Sequence, residues 1–543
     1  MSGAAWRSLL PSRRDYAELR RSWRVDLLSG VSVGVVALPL ALAFGVSSGA
    51  GAAAGLITAI VAGVVAAVLG GSHVQVSGPT GAMVVVLAPV LADRGVSALA
   101  LVTVMAGLLV VAAGVARLGR LVGLIPWPVI EGFTVGIAII IFLQQVPMAV
   151  GLAHGESGVK AWRAAVDAVL GADWGVAWPA LALVLAVVAV MRLWPLVTGA
   201  VPGAIVAIVA VALGATALGV NVPTIGALPT GLPSPTLPEL DLASLRSLAA
   251  PAIAIAALAA IESLLSARVA QTYTDVGGYD ADRELVGQGL ASVASGLFGG
   301  MPATGAIART AVNVRSGART RVSAVTHAVV LLVIVLVASG LVARVPLAAL
   351  AGVLMVTAVS MVRPSVVRSV MKASRSDALL FVLTALITVS VDLIYAIVIG
   401  VGVAAVLALR AVSMSAGVHR EELPGLPVPG DARIALLRLD GALFFGAADR
   451  VLDRVARIEG VEVVILRMSQ IRLLDTTGAQ VLTELVTTLE RRGVVVLIKG
   501  VQDRHVGLLA HMGALEEDDH VFAHLYDAIE CARAIVAARV VSE

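Results

Sequence analysis

The chain has 543 residues, 59% of them hydrophobic and 14% charged, and a formal net charge of +3 at pH 7. Ordinary globular proteins carry about 25% charged residues, so this composition excludes a soluble fold and indicates a polytopic protein whose surface contacts membrane lipid. The near-balanced charge gives no support for a nucleic-acid partner, and one cysteine with eight scattered histidines gives none for a disulfide framework or a metal site.

The N-terminal segment, residues 1–24, is arginine-rich and lacks the apolar core of a secretory signal, so we expect it to stay in the cytoplasm. Fourteen apolar elements follow it in a predicted membrane domain, residues 1–416. Two of them, 79–93 and 305–317, are too short to cross a hydrocarbon core of about 30 Å, and a weaker one lies at 284–300. The others lie at residues 27–48, 51–70, 96–117, 127–149, 178–194, 200–219, 248–270, 320–342, 346–362, 376–392 and 393–413.

The basic residues of the connections predict the orientation. With the N-terminus inside, the inner connections receive far more arginine and lysine than the outer ones, as the positive-inside rule requires. We therefore predict a multi-pass protein of the cell (inner or plasma) membrane with both termini in the cytoplasm. The inner set is Arg117, Arg120, Arg192, Arg268, Arg283, Arg315, Arg319, Arg321, Arg363, Arg368, Lys372 and Arg375, and the outer set is Lys160, Arg163, Arg246 and Arg344.

The two short elements share a motif. One follows Gly70-Gly71 and contains Val76–Ala82 (VSGPTGA), and the other follows Gly299-Gly300 and contains Met301–Ala306 (MPATGA). They are the third and the tenth elements. Because seven is odd, a repeat displaced by seven elements has the opposite orientation in the membrane. We therefore predict a polytopic all-α membrane domain of 14 spans, built as 7+7 inverted repeats.

In such a fold two half-helices begin near the membrane midplane with their N-termini facing each other. Their unsatisfied N–H groups and positive dipole ends form an anion site. The alternative is that each motif only breaks a helix, but its recurrence seven elements later favours a binding site. The candidate substrate-binding residues are Thr80, Gly81 and Ala82 in one segment and Thr304, Gly305 and Ala306 in the other.

Glu262 lies in an otherwise apolar part of the eighth element, and a carboxylate at membrane depth is a functional candidate. Ser263 is adjacent, and Ser266 shares its helical face at i+4. This oxygen-rich group suits a proton or a small hard cation. Because an ionised Glu262 would repel an anion, binding of H⁺ or Na⁺ would relieve the conflict, which favours cation-coupled anion uptake without another cofactor. The alternative is a structural ion pair with Arg268 or Arg309.

Three further polar residues lie in or beside the spans. Arg309 follows the second Thr-Gly-Ala triplet by about one turn, and it either adds positive potential to the site or anchors the cytoplasmic end of its helix. Glu131 opens a span beside Trp127 and Pro128, which favours an interfacial role. Asp392 is predicted to be a turn residue between the last two spans.

Acidic residues become frequent after residue 416, with 17 before it and 19 after it. We predict a linker at 417–430, where three prolines occur, followed by a small cytoplasmic α/β domain at 431–543. No nucleotide-binding loop is evident in the sequence, so we predict neither an enzyme nor a primary active transporter. The predicted strands are 434–439, 461–467 and 494–499, and the predicted helices are 447–458, 476–491, 503–511 and 521–538.

Five separated motifs occur in the membrane domain: Val33–Phe44 (VGVVALPLALAF), Gly71–Ala82 (GSHVQVSGPTGA), Ile261–Ala267 (IESLLSA), Leu285–Leu290 (LVGQGL) and Pro302–Thr320 (PATGAIARTAVNVRSGART). In this order they resemble the bacterial branch of the SulP, or solute carrier 26, family of anion transporters. The C-terminal part resembles the STAS domain of that family, with Leu474–Gly478 (LDTTG) matching its strand-to-helix loop.

The resemblance implies a homodimer of fourteen-span subunits, in which a core domain moves against a gate domain. It adds Phe44 on the first span to the substrate-binding set and places Arg309 there as well. Relatives that take up bicarbonate with sodium carry Asp at the position of Glu262 and Thr at that of Ser266. Proton-coupled relatives carry Glu, which favours H⁺ here.

The STAS resemblance also implies a possible cytoplasmic protein partner. Thr477 precedes Gly478 as the phosphorylated serine does in related anti-sigma-factor antagonists, which makes it a candidate regulatory site. Helix capping by Asp475 and Thr476 is the favoured interpretation of this loop.

The sequence thus predicts a secondary-active transporter of sulfate, bicarbonate or a small carboxylate such as a C4-dicarboxylate, coupled to H⁺ or Na⁺. Alternating access would expose an anion held between the half-helices that start near Pro79 and Pro302. Two alternatives stay open: a nucleobase-type carrier of the same architecture, and a membrane-tethered anion sensor that signals through the STAS domain.

Overall fold

The computed structural model describes residues 11, 18–152, 160–198, 202–228, 231–273, 278–391, 393–414, 417–444, 455, 460–513 and 520–542. The chain divides into two compact units, Met1–Val401 and Gly402–Glu543. The predicted turn at Asp392 and nearly all of the predicted helix at 447–458 lie outside the described residues.

The first unit is helical, and each of the fourteen predicted apolar elements overlaps a helix. Within the described ranges, nine helices are long and apolar enough to cross a membrane. The helices are α1 (Leu19–Ser47), α2 (Ala52–Leu69), α3 (Gly81–Arg94), α4 (Ala98–Val115), α5 (Trp127–Ala149), α6 (Ala161–Leu170), α7 (Trp174–Val197), α8 (Gly203–Ala217), α9 (Leu242–Tyr273), α10 (Ala281–Leu297), α11 (Ile307–Arg315), α12 (Val322–Val342), α13 (Leu347–Met361), α14 (Pro364–Ala373), α15 (Arg375–Ser390) and α16 (Leu393–Met414), with a 3₁₀ turn at Leu118–Leu124.

The weakly apolar element is helix α10, and its polar side chains explain its composition. Glu284, Gln288 and Ser292 are each only 1% exposed, so the helix turns them into the protein. On another side α10 packs closely against α4, since a Cβ at Gly289 would lie 2.6 Å from the carbonyl oxygen of Gly107. Small residues allow such close approach between helices in a membrane.

Helices α6 and α14 were not predicted. Both are short and carry apolar residues on one face and polar residues on the other, a pattern that a search for long apolar stretches does not detect. Helix α6 lies between the fifth and sixth apolar elements, and α14 lies between the twelfth and thirteenth. They therefore occupy equivalent places in the predicted inverted repeats.

Strands β1 (Ser77–Gly78) and β2 (Thr304–Gly305) lie in the first unit. The described residues of the second unit contain a five-stranded sheet in which the strands follow chain order: β3 (Gly417–Glu421), β4 (Ile434–Leu443), β5 (Val463–Leu474), β6 (Val495–Lys499) and β7 (Val521–Phe522). Only β3 and β4 are antiparallel, and the other neighbouring strands are parallel. One face of the sheet packs against α17 and α18 and the other against α19, so the predicted strands are covered on both faces. The other elements are a 3₁₀ turn (Asp431–Arg433), α17 (Thr476–Arg491), α18 (Asp503–His511) and α19 (Leu525–Ser542).

Strand β3 occupies the first five residues of the stretch that the sequence analysis assigns to a linker. Its Glu421 forms ion pairs with Arg438 on the adjacent strand β4 at 2.6 Å and with Arg467 on the next strand, β5, at 3.0 Å. Glu421, within the predicted linker, therefore makes cross-strand ion pairs from an edge strand.

The rest of the predicted linker is tied to α19 through Asp431. Arg533 donates hydrogen bonds to both carboxylate oxygens at 2.8 and 2.9 Å, and the N–H of Val428 donates another at 2.9 Å. The Arg533 guanidinium holds the pKa of Asp431 below its ordinary value. A lowered pKa in the folded state means that this contact stabilises the unit near neutral pH and is lost as the pH falls through that pKa.

Candidate functional site

The two broken segments meet where residues 77–78 lie beside residues 304–305, and this place, with the two helix starts that adjoin it, is called the crossing below. Strand β1 (Ser77–Gly78) pairs antiparallel with strand β2 (Thr304–Gly305), with Ser77 opposite Gly305 and Gly78 opposite Thr304. Helix α3 begins just after β1 and helix α11 just after β2. The predicted meeting of the two helix starts is therefore confirmed, and Pro79 and Pro302 both lie at this crossing.

Both helices begin without a side-chain cap. Neither Thr80 nor Ala306, the N-cap residues of α3 and α11, makes a capping hydrogen bond. The first helical bonds run from Val84 to Thr80 at 3.3 Å and from Thr310 to Ala306 at 2.9 Å. The N–H groups of residues 81–83 and 307–309 come before these first helical bonds. Such groups, at the positive end of a helix dipole, suit an anion.

Two N–H groups of the second segment that were candidate donors to an anion instead form hydrogen bonds with other groups of the protein. The N–H of Gly305 donates to Ser263 Oγ at 3.1 Å, and that of Ala306 donates to the carbonyl oxygen of Val76 at 2.9 Å. The pairing of the two segments therefore occupies both groups. The first-turn N–H groups of Ile307 and Ala308 take their place as candidate donors.

Glu262 on α9 connects the two segments. Its Oε2 accepts hydrogen bonds from Thr80 Oγ1 at 2.8 Å and Thr304 Oγ1 at 2.9 Å, and the two hydroxyl oxygens lie 3.1 Å apart. Both bonds go to threonines that immediately adjoin the helix starts. Within the described part of the chain, Glu262 forms no ion pair with Arg268 or Arg309. The geometry therefore does not support the alternative in which Glu262 serves only as one partner of a structural ion pair.

Ser263 and Ser266 face the same crossing but have separate partners. Ser263 accepts the N–H of Gly305, and Ser266 Oγ lies 3.3 Å from Thr310 Oγ1. The same Thr310 hydroxyl accepts the N–H of Val76 at 3.1 Å. Both serines are fully buried, so they fasten α9 to the crossing, and only Glu262 of the predicted cation set bonds to both threonines.

Arg309 lies at the crossing and not at the far end of α11. Its side chain is 1% exposed, and Nη2 donates to the carbonyl oxygen of Pro79 at 2.6 Å. Its Nη1 is buried without a hydrogen-bond partner in the described residues and lies against Gly78. A side chain at position 78 would overlap this guanidinium. The first of the two predicted roles, positive potential at the site, is the one that this position favours.

Phe44 and Ile141 form the wall beside the start of α3. Phe44 Cε1 would lie 3.3 Å from a Cβ at Gly81, and Ile141 would overlap it. A side chain at position 81 would therefore displace the end of the Ile141 side chain on α5 and press against Phe44 on α1. Ala82 is 4% exposed and packs in the core of the unit, so at this position the backbone rather than the side chain is the candidate ligand.

Two side chains that were not predicted from the sequence hold the irregular segments before the helix starts. Glu284 Oε2 accepts the N–H groups of Gly71 and Ser72 at 2.8 and 2.9 Å. In the same way Thr58 Oγ1 accepts the N–H of Met301 at 2.8 Å. These helices, α10 and α2, are the ninth and second elements, so each predicted repeat would support the broken segment of the other. The only signal for this role was a polar residue in an apolar span.

Three of the residues singled out in the sequence lie elsewhere. Glu131 accepts hydrogen bonds from Trp127 Nε1 at 3.1 Å and Arg363 Nη2 at 2.9 Å. In the second unit the Asp475 side chain caps α17 by accepting the N–H of Gly478 at 2.7 Å, as the capping interpretation predicted. Thr477 is exposed in the first turn of that helix.

Sequence comparisons match both units to known families. The model of the sulfate permease family matches residues 23–384, and that of the STAS domain matches residues 426–528. YvdB of Bacillus subtilis is 34% identical over 93% of this chain and 97% of its own length. The bicarbonate transporter BicA of Synechocystis is 32% identical over 88% of each chain.

Two solved structures are similar to the first unit or to the chain as a whole. The transmembrane domain of a cyanobacterial bicarbonate transporter, BicA, has a TM-score of 0.64 at 33% identity, covering 71% of this chain and 98% of that one. Murine Solute Carrier 26 family member A9, an anion transporter in the inward-facing state, has a TM-score of 0.85 over 98% of this chain and 95% of its own. At 16% identity, this second match establishes the fold.

Proposed function

The chain belongs to the sulfate permease family, and from this premise we propose that it is a secondary-active transporter of small oxyanions. The candidate substrates are sulfate, bicarbonate and a small carboxylate such as a C4-dicarboxylate. Sulfate is the anion in the family's description, and the relative BicA is named a bicarbonate transporter. The observation that carries the proposal is the β1–β2 pairing, because it brings two uncapped helix N-termini together.

In this proposal the anion binds between the starts of α3 and α11. The first-turn N–H groups of Gly81, Ala82, Ile307 and Ala308 donate to its oxygens. A backbone-lined site binds oxyanions through their charge and size, and it supplies several donors without the desolvation of extra side-chain cations. Arg309 adds a fixed positive charge, since a guanidinium remains protonated.

Glu262 is the proposed coupling group. When it is ionised, its charge offsets that of Arg309, so the empty site is close to neutral. An incoming anion then adds an uncompensated negative charge in a medium of low dielectric constant, which is costly. A proton on Glu262 removes one negative charge, which restores the balance for a monovalent anion such as bicarbonate and halves the excess for sulfate, so the proton and the anion bind together. The glutamate at this position favours H⁺ over Na⁺ as the coupling ion.

Alternating access is proposed to move this site between the two sides of the membrane in a homodimer whose termini lie in the cytoplasm. The STAS domain is proposed to regulate abundance or rate and to recruit a protein partner, with Thr477 exposed for modification. Deleting residues 431–543 would then leave the order of substrate preference unchanged.

Uptake into proteoliposomes tests the proposal. Purified protein is reconstituted with an inward proton gradient, and labelled sulfate is followed with bicarbonate, succinate and uracil as competitors. We expect accumulation of sulfate that requires the gradient and inhibition by at least one of the two other anions. Anion binding without flux would instead indicate a sensor, and inhibition by uracil alone would indicate a nucleobase carrier; either result contradicts the proposal.

A further inference from the structure

The short helix α14 has an exposed basic face beside the membrane domain. It packs mainly against α15 and lies between two apolar helices, α13 and α15, which it connects. Val370 is 1% exposed and Val367 is half-buried, so this side of the helix faces the protein. Arg368 and Lys372, one turn apart, are exposed on the other side.

The three cations on and just after α14 have no acidic partner among the described residues. In the described part of the chain, Arg368, Lys372 and Arg375 form no ion pair within 4.0 Å. The nearby Asp377 is engaged at the start of α15, where its N–H and its carboxylate both bond to Ser374. Met371, on the same helix, has 45% of its surface exposed. An exposed apolar side chain beside unpaired cations is typical of a helix that lies in a membrane interface.

The equivalent helix in the other repeat, α6, provides a comparison. It carries Arg163 and Asp167, so its charges are balanced, and Arg163 lies over the ring of Trp162 at 5.1 Å. Lys160, just before it, donates to the carbonyl oxygen of Ser390. The cations of α6 are therefore engaged or offset, whereas those of α14 are not. Because the two helices are displaced by seven elements, the inverted repeats direct them to opposite leaflets.

We propose that α14 and Arg375 bind the headgroups of anionic phospholipids. The headgroup phosphate diester accepts hydrogen bonds from Arg368, Lys372 and Arg375, while Met371 contacts the acyl region. The predicted cytoplasmic position of α14 agrees with this chemistry, since anionic lipids give that leaflet a negative surface potential. Each cation near such a surface contributes roughly a fivefold preference for anionic lipid.

Spin-labelled lipids test this proposal with the full-length protein in vesicles of phosphatidylcholine. The measured quantity is the preference of the protein for spin-labelled phosphatidylglycerol over spin-labelled phosphatidylcholine in its motionally restricted lipid. In the triple variant Arg368→Gln/Lys372→Gln/Arg375→Gln, the part of this preference that α14 provides is expected to fall at least tenfold. The matched control Lys160→Gln/Arg163→Gln in α6 is expected to retain it.

Further measurements test whether the preference depends on charge and whether it requires a lipid rather than free phosphate. The charge-retaining variant Arg368→Lys/Arg375→Lys is expected to keep most of the preference, and high salt is expected to weaken it because exposed charges are screened. Inorganic phosphate at millimolar concentration is expected not to compete, since it lacks the acyl chains. An unchanged preference in the triple variant, an equal loss in the α6 control, or displacement by phosphate would each overturn the proposal.

Discussion

Replacing Glu262 with glutamine is expected to abolish anion accumulation driven by a proton gradient while the protein stays folded in the membrane. Glutamine has the same shape, and its carbonyl oxygen can still accept the hydroxyl bonds of Thr80 and Thr304, which are 2.8 and 2.9 Å long in the native protein. It cannot exchange a proton. The crossing is therefore preserved, and only the change of charge is lost.

The size of this effect follows from the coupling. A pH difference of one unit is worth about 1.36 kcal/mol per proton, so one coupled proton supports roughly tenfold accumulation. In proteoliposomes held at zero membrane potential, the Glu262→Gln variant is expected to reach a ratio of about one, while exchange of labelled for unlabelled anion continues. Full accumulation by this variant would eliminate the coupling role.

A matched control is available at Glu131. This carboxylate also lies in an apolar helix and is 7% exposed, but it pairs with Arg363 and Trp127. Glu131→Gln removes a charge of the same kind from the same unit. We expect it to keep the proton dependence of uptake, so loss of that dependence in both variants would assign the effect to general disturbance of the unit.

Replacing Arg309 with glutamine is expected to weaken anion binding by about tenfold to a hundredfold. Hydrogen bonds and contacts that involve a charged group are worth about 1.5–3 kcal/mol, which corresponds to that change in affinity. The affinity is measured as the concentration of sulfate that half-saturates uptake and, independently, by calorimetry on purified protein.

Because Arg309 is buried and bonds to Pro79, the variant can also loosen the crossing. Arg309→Lys separates the two effects, since it keeps the positive charge and loses the planar pair of donors. We expect it to recover part of the affinity lost in Arg309→Gln, at a similar melting temperature. Equal affinity in Arg309→Gln and the native protein would contradict a role for this charge in binding.

The membrane unit was predictable in outline because composition decides it. Stretches of apolar residues predict helices wherever water is absent, and the motif shared by Val76–Ala82 and Met301–Ala306 predicted the crossing that β1 and β2 form. Helices α6 and α14 escaped detection because each is only 10 residues long and is interrupted by charged residues, so neither forms a stretch of apolar residues long enough to cross a membrane.

The partners of individual side chains were less accessible to sequence reasoning. Ser263 and Ser266 were grouped with Glu262 from helical spacing alone, but each bonds to a different group on the second broken segment. Spacing on one helix cannot reveal which backbone N–H group another segment presents. The same limit explains Glu284, whose bonds to Gly71 and Ser72 join residues more than 200 positions apart.

In the C-terminal unit, too, some elements were predictable from the sequence and others were not. Its buried strands were evident as apolar runs, whereas β3 was hidden because prolines and charged residues follow it closely. Its pairing with β4 became visible only from the structure, where the N–H and C=O groups of the two strands meet in register.

The central claim is that an anion binds between the starts of α3 and α11. A crystal structure with selenate, which replaces sulfate and has a strong anomalous signal from selenium, tests it most directly. We predict one selenium peak about 4 Å from the first-turn nitrogens of both helices. This distance places the selenate oxygens within hydrogen-bond reach of those nitrogens, because selenium lies one Se–O bond further away. Selenium that is bound elsewhere in the membrane domain, with these N–H groups facing side chains instead, would contradict the account.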